Sequence, residues 1–289
     1  MPNIKKILLP VDFPNASLRV IHQAAALARH FHSEIVMLHV VSPRSHAAGV
    51  PEDPAAQAGW DLLEETLKKS QECMDLDLAP ELDGLTVRRV LAKGDPAHAI
   101  AQTAQSEKTD LIMMPSYGFT FDQFLLGTVA QRAPHWSECP LWTCAHIQGS
   151  PPENFSIANV LCTVDSSPHV RKTVTWAKDL AAEFGARLTL AGVTSAVDFW
   201  GPGGNYVSQK WKAALVGDAT QQIADVQRDL DIKTDVFIGS GDPPTVLNEA
   251  AKQTKADLLV TGCRPYGVSL RTRGYAILRA APVPVLSVA

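Results

Sequence analysis

The sequence predicts an α/β protein of two tandem domains, each a five-stranded parallel sheet flanked by helices. Three observations support this. The chain is written twice: residues 5–43, KKILLPVDFPNASLRVIHQAAALARHFHSEIVMLHVVSP, are matched by residues 158–195, ANVLCTVDSSPHVRKTVTWAKDLAAEFGARLTLAGVTS. Within each copy, short and nearly continuous apolar runs alternate with stretches of helical spacing, the pattern of a parallel sheet covered on both faces. The length of 289 residues is long for one domain and comfortable for two of about 150.

The repeat has a register. Asp12 matches Asp165, Leu27 matches Leu180, Phe31 matches Phe184 and Val40 matches Val193, each 153 positions apart. Further on, Gly94-Asp95-Pro96 matches Gly241-Asp242-Pro243, Asp110-Leu111 matches Asp257-Leu258, and Gly127 matches Gly274, each 147 apart, so the second copy is six residues shorter in between. The breaker-rich segment Gln148–Asn154 reads as the linker, giving domains at 1–149 and 150–289.

In the first copy, Ile7–Val11 reads as a strand, Ala16–Phe31 as a helix and Ile35–Val41 as a second strand. Residues 42–59 form a loop rich in Pro and Gly, and Trp60–Leu76 a helix. Thr86–Ala92 is a third strand, Pro96–Gln105 a helix and Asp110–Met114 a fourth strand. Gly127–Ala133 opens a further helix, and Leu141–Ile147 is the last strand. The second copy repeats the strands at Val160–Val164, Leu188–Val193, Thr234–Ile238, Leu258–Thr261 and Val283–Val288.

Composition narrows the function. A hydrophobic content of 46%, with 19% charged residues and a net charge of −4, fits a globular protein and gives no basic field for nucleic acid or an anionic membrane. No apolar run approaches the roughly 20 residues that span a bilayer, and the start lacks a signal-peptide pattern. Five cysteines without a CxxC spacing read as reduced thiols in a cytoplasmic protein. Cys139 and Cys144 are expected on opposite faces of one strand.

In parallel sheets, ligands sit beyond the carboxyl ends of the strands where the strand order reverses. The segments after Val11, Val40 and Met114 are therefore the places for chemistry. Asp12 ends the first strand, where a carboxylate can accept a ribose hydroxyl or an adenine amino hydrogen; the plainer role is a helix N-cap. Asp165, followed by Ser166-Ser167-Pro168, is expected to be such a cap. Gly94-Asp95-Pro96 and Gly241-Asp242-Pro243 recur, and an Asp N-cap with Pro in the first turn accounts for both. Gly127-Thr128 opens a helix whose free N–H groups and hydroxyl can hold phosphate oxygens, although an ordinary N-cap would look the same.

Two copies of a strand ending in (P/T)-V-D, a strand ending in (H/G)-V, and a Gly-containing loop before the last helix and strand resemble the universal stress protein family. The resemblance covers nearly the whole chain, as a tandem two-domain member. It implies Rossmann-like (adenine nucleotide alpha hydrolase-like) domains that pair through their last strands, here as an intramolecular pseudo-dimer that can also form a homodimer. Nucleotide-binding members carry G-x2-G-x9-G-(S/T) after strand four. By resemblance, Asp12 and Val40 contact a nucleoside, while Gly118, Gly127 and Thr128 hold ribose and phosphates of ATP or a related adenine nucleotide, which can bring Mg2+ with it.

The chain departs from that pattern. In the first copy Pro115 stands where the first Gly belongs and eight residues separate Gly118 from Gly127. In the second copy Gly262 is kept, Pro265 replaces the second Gly, and Tyr275 replaces the Ser/Thr. The first copy thus reads as an altered nucleotide site and the second as degenerate. Neither a Walker A sequence, nor a nucleophile elbow, nor paired carboxylates occur, so the expected role is a regulator or binding protein rather than an enzyme, with ATP hydrolysis slow at most. The alternative is a scaffold that binds a partner or a small ligand without nucleotide.

Three further groups are weaker. Arg264, Arg271, Arg273 and Arg279 could grip an anionic ligand or an acidic partner, or form a solvated face. Eight of nine histidines precede residue 150, but His30 and His32 do not share a helix face, which argues against a metal site. Trp60, Trp200 and Trp211 lie in or after the long loops Ser42–Gly59 and Thr194–Ser208, as lid residues or as anchors.

Overall fold

The computed structural model describes residues 3–12, 18–41, 65, 68–69, 72, 80–115, 139–144, 155–194, 200–201, 204–205, 209–263, 276–278 and 280–289. They form two units, Asn3–Phe155 and Ser156–Ala289.

In the N-terminal unit the elements run β1 (Lys6–Pro10), α1 (Leu18–Phe31), β2 (Glu34–Val41), β3 (Val87–Lys93), α2 (Pro96–Ser106), β4 (Leu111–Pro115) and β5 (Leu141–Cys144). All neighbouring strands are parallel, in the order β3-β2-β1-β4-β5. Leu8 of β1 faces Val36 on one side and Ile112 on the other. The central strands are buried on both faces, which is why they read as apolar runs rather than alternating ones. Val20, Ile21, Ala24, Ala25, Leu27 and Ala28 form the buried stripe of α1, and its alanines let the helix approach the sheet closely.

The C-terminal unit repeats the plan: β6 (Asn159–Val164), α3 (Val170–Phe184), β7 (Arg187–Thr194), a short antiparallel pair β8 (Trp200–Gly201) and β9 (Gly204–Asn205), α4 (Gln209–Asp229), β10 (Asp235–Ser240), α5 (Pro243–Gln253), β11 (Leu258–Gly262) and β12 (Val285–Val288). Its parallel sheet has the order β10-β7-β6-β11-β12. The predicted tandem α/β architecture is therefore the one observed. No described helix is long and apolar enough to cross a membrane.

The repeated residues are repeated devices. Asp110 Oδ2 accepts the backbone amides of Lys5 and Lys6 at 2.8 and 2.9 Å. Asp257 Oδ2 does the same for Ala158 and Asn159, again at 2.8 and 2.9 Å. Each carboxylate ties the start of the fourth strand to the start of the first. Asp95 caps α2 by accepting from the His98 amide, and Asp242 caps α5 by accepting from Thr245, each with Pro in the first turn. The glycines before them have φ of +127° and +149°, open only to glycine at low cost. Helix α1 ends on His32 at φ +54°, α3 on Gly185 at φ +63°; the next amides, of Ser33 and Ala186, close back on Ala28 and Ala181.

Some expectations are corrected. Asp165 does not cap α3; the N-cap is His169, without a side-chain bond, and Asp165 Oδ1 instead accepts from Ser167 N at 3.0 Å. That local turn competes with capping and delays the helix. Cys139 sits at a bend before β5 rather than within it, and only Cys144 belongs to the strand. β3 begins and ends one residue later than predicted. The linker Gln148–Asn154, the helix expected from Gly127 and most of the helix expected over Trp60–Leu76 lie outside the described residues, although Glu65, Lys68, Lys69 and Glu72 are helical.

The units differ at the amino ends of their strands. In the first, Lys6, Glu34, Arg88 and Glu107 form an ion-pair cluster. The equivalent residues in the second are Asn159, Arg187, Asp235 and Thr254, which line an open hollow of about 520 Å³. Only Arg187 and Asp235 pair there, at 4.0 Å, with the charges exchanged relative to Glu34 and Arg88.

Candidate functional site

In the N-terminal unit the chain runs outward from β1 to β2 and β3, then returns to place β4 and β5 on the other side of β1. Strand order therefore reverses between β1 and β4, and the crevice beyond their carboxyl ends is the site this topology creates. Val11 prolongs β1, its amide donating to Leu38 O at 2.8 Å. Asp12 follows and is exposed. Among the described residues its carboxylate makes no hydrogen bond, so its oxygens are available as acceptors. Val40 is half-buried near the end of β2, opposite Ala92 of β3. Pro115 ends β4, half-buried and opposite Cys144.

The structure thus brings Asp12 to the strand-order reversal with Pro115, and sets Val40 on the adjoining strand. Gly118, Gly127 and Thr128 lie outside the described residues. An exposed carboxylate at a strand-order reversal is a hydrogen-bond acceptor placed where this topology holds ligands. Among the described residues no group of three or more His, Cys, Asp or Glu side chains could hold a metal ion.

Two polar side chains under the crevice were not singled out by sequence. His39 is only 6% exposed, and its Nδ1 lies 2.9 Å from Val11 O. Gln23 on α1 is buried, and its Oε1 accepts from Trp142 Nε1 and Cys144 Sγ, both at 3.0 Å. Burial pushes the Cys144 thiol up to about 12, which rules it out as a nucleophile near neutral pH. The sequence signal for His39 was its place in the strand-ending (H/G)-V pair.

The corresponding end of the C-terminal unit is built otherwise. Asp165 is engaged by the Ser167 amide. Thr163 Oγ1 donates to Thr261 Oγ1 at 3.2 Å. A Cβ at Gly262 would stand 3.2 Å from Thr173 Oγ1, a tight contact that disfavours a larger residue there. Burial raises the Cys263 thiol to about 11. Pro265, Gly274, Tyr275 and the arginines 264, 271, 273 and 279 lie outside the described residues. Trp211 is 65% exposed.

Comparison with known proteins gives the family and the fold. The model of the universal stress protein family matches residues 3–144 and again 157–289. A universal stress protein of Methanocaldococcus jannaschii is 33% identical over 140 residues, covering 47% of this chain and 79% of its own. One from Thermus aquaticus is 31% identical over 138 residues, covering 47% and 96%. The crystal structure of a universal stress protein from Archaeoglobus fulgidus has a TM-score of 0.68 at 21% identity, over 99% of this chain and 96% of that one, a likeness of fold.

Proposed function

The chain belongs to the universal stress protein family, and from that premise we propose that it is a nucleotide-responsive regulator whose N-terminal unit binds ATP or a related adenine nucleotide. The observation that carries this reading is the exposed Asp12 carboxylate, without a hydrogen bond among the described residues, where strand order reverses between β1 and β4. Asp12 would accept from the ribose or adenine, with Val40 against the nucleoside. Gly118, Gly127 and Thr128 would hold ribose and phosphate oxygens, and Mg2+ would be carried by the phosphates. The protein would act in the cytoplasm by changing its loops or its association on binding, not by turnover.

A second reading is a scaffold that works without nucleotide. It is favoured by Pro115, which offers no backbone N–H at the end of β4, and by Asp165, already engaged in a turn.

The deciding experiment is a census of nucleotide in protein purified without any added, by denaturation, anion exchange and mass detection, followed by calorimetric titration with ATP and Mg2+. The expected result is adenine nucleotide bound at one site per chain, lost in Gly127→Val and weakened in Asp12→Ala while both keep native circular dichroism. An empty protein that gives no heat with ATP would leave the scaffold reading standing.

A further inference from the structure

We propose that His39 is a positioning residue, whose ring N–H fixes the Val11 carbonyl and so aims Asp12 at the nucleoside; this rests on the nucleotide reading above. Both backbone groups of Val11 are tied to β2. Its amide donates to Leu38 O at 2.8 Å, and its carbonyl lies 2.9 Å from Nδ1 of His39, the next residue of that strand. A carbonyl oxygen only accepts, so Nδ1 carries the proton, and a neutral ring is the Nδ1–H form. Val11 is 8% exposed and His39 6%, so water cannot easily replace the bond, and an unpaired buried carbonyl is costly. The next residue along is Asp12. Fixing its backbone before ligand arrives removes an ordering cost from binding.

The second unit supplies the contrast. Gly192 occupies the position of His39, and a Cβ there would already be 3.3 Å from Ile223 Cδ1 and 3.5 Å from Ala219 Cβ of α4. A helix side chain fills the space that the imidazole takes in the first unit. Among the described residues no side chain donates to Val164 O, the counterpart of Val11 O. The brace therefore accompanies the aspartate left available at the reversal, and is missing where the aspartate folds back on Ser167.

The test uses the full chain with ATP and Mg2+ as probe. Nitrogen NMR of the imidazole should show Nδ1 protonated. His39→Phe, which keeps a ring but no donor, should weaken ATP binding about ten-fold. His39→Asn, whose amide sits near the Nδ1 position, should return it to within about three-fold of wild type, whereas His39→Gln should not. A purely structural role would move unfolding without this order of affinities. An unprotonated Nδ1, unchanged affinity in His39→Phe, or equal weakening in Asn and Gln would overturn the proposal. If wild type binds no ATP, the nucleotide reading fails by itself. The brace is then judged by the amide shifts and hydrogen exchange of Val11 and Asp12 in His39→Asn and His39→Gln, and no difference between the two overturns it.

Discussion

A Cβ placed on Gly239 would stand 2.4 Å from Cγ1 of Val246, so the glycine in β10 and the valine in α5 are a matched pair. The same two positions in the N-terminal unit hold Ala92 and Ala99, small against small. Gly239→Ala alone should cost about 1–3 kcal/mol through overpacking. Adding Val246→Ala should recover part of that loss, and a urea double-mutant cycle should show coupling of about 1 kcal/mol or more. Additive effects would mean that the contact does not set the helix position.

The strand-start clamps make a second prediction. Asp110→Ala leaves two backbone amides, of Lys5 and Lys6, without their acceptor. It should destabilise by about 1–3 kcal/mol, seen as a lower urea midpoint. Asp257→Ala should behave alike in the other unit. A variant as stable as wild type would show that water serves those amides equally well.

His32 holds a left-handed conformation, φ +54°, at the end of α1 where α3 uses Gly185. His32→Gly should stabilise by roughly 0.5–1 kcal/mol, and Gly185→Ala should destabilise by a similar amount. Thermal unfolding monitored by circular dichroism gives the sign directly.

The thiols differ from free cysteine. Burial holds the Cys144 thiol up at about 12 and raises that of Cys162 further. At pH 8 both should resist a soluble thiol reagent in the native protein and react at once in denaturant. Mass mapping that finds either labelled before unfolding would contradict their burial.

Acid should act on the cluster at the amino ends of the first unit's strands. The hydrogen bond from Arg88 foremost holds the Glu107 carboxyl below its ordinary value. Its contribution is thus present above the ordinary carboxylate range and lost as pH falls through the lowered value. Solvent screening limits it to less than about 1 kcal/mol. The stability gap between wild type and Glu107→Gln should be flat near neutrality and close on acidification. A gap that widens in acid would reverse the assigned sign.

Much of the fold was legible because it is encoded locally. Asp95 and Asp242 read as caps from the Asp-Pro pair alone, since capping needs only the next three residues. Asp165 misled because Ser167 offers it a nearer amide, and that competition is settled by geometry rather than by residue type. The site was legible in part. Asp12 could be placed at a strand end from the apolar run before it, but whether it remains available could not be read, since its twin Asp165 carries the same letter and accepts from the Ser167 amide.

The sequence by itself determined the duplication, the alternation of strand and helix, and the family, because apolar period, breakers and repeated motifs are properties of neighbouring residues. Tertiary structure decided the rest. Val11 and His39 are 28 positions apart in the chain, and Asp110 and Lys6 are 104 apart. Such pairs meet only once parallel strands set their register. Topology reverses strand order at β1 and β4, and the register seats a ring against a carbonyl in one unit and leaves a glycine under a helix in the other.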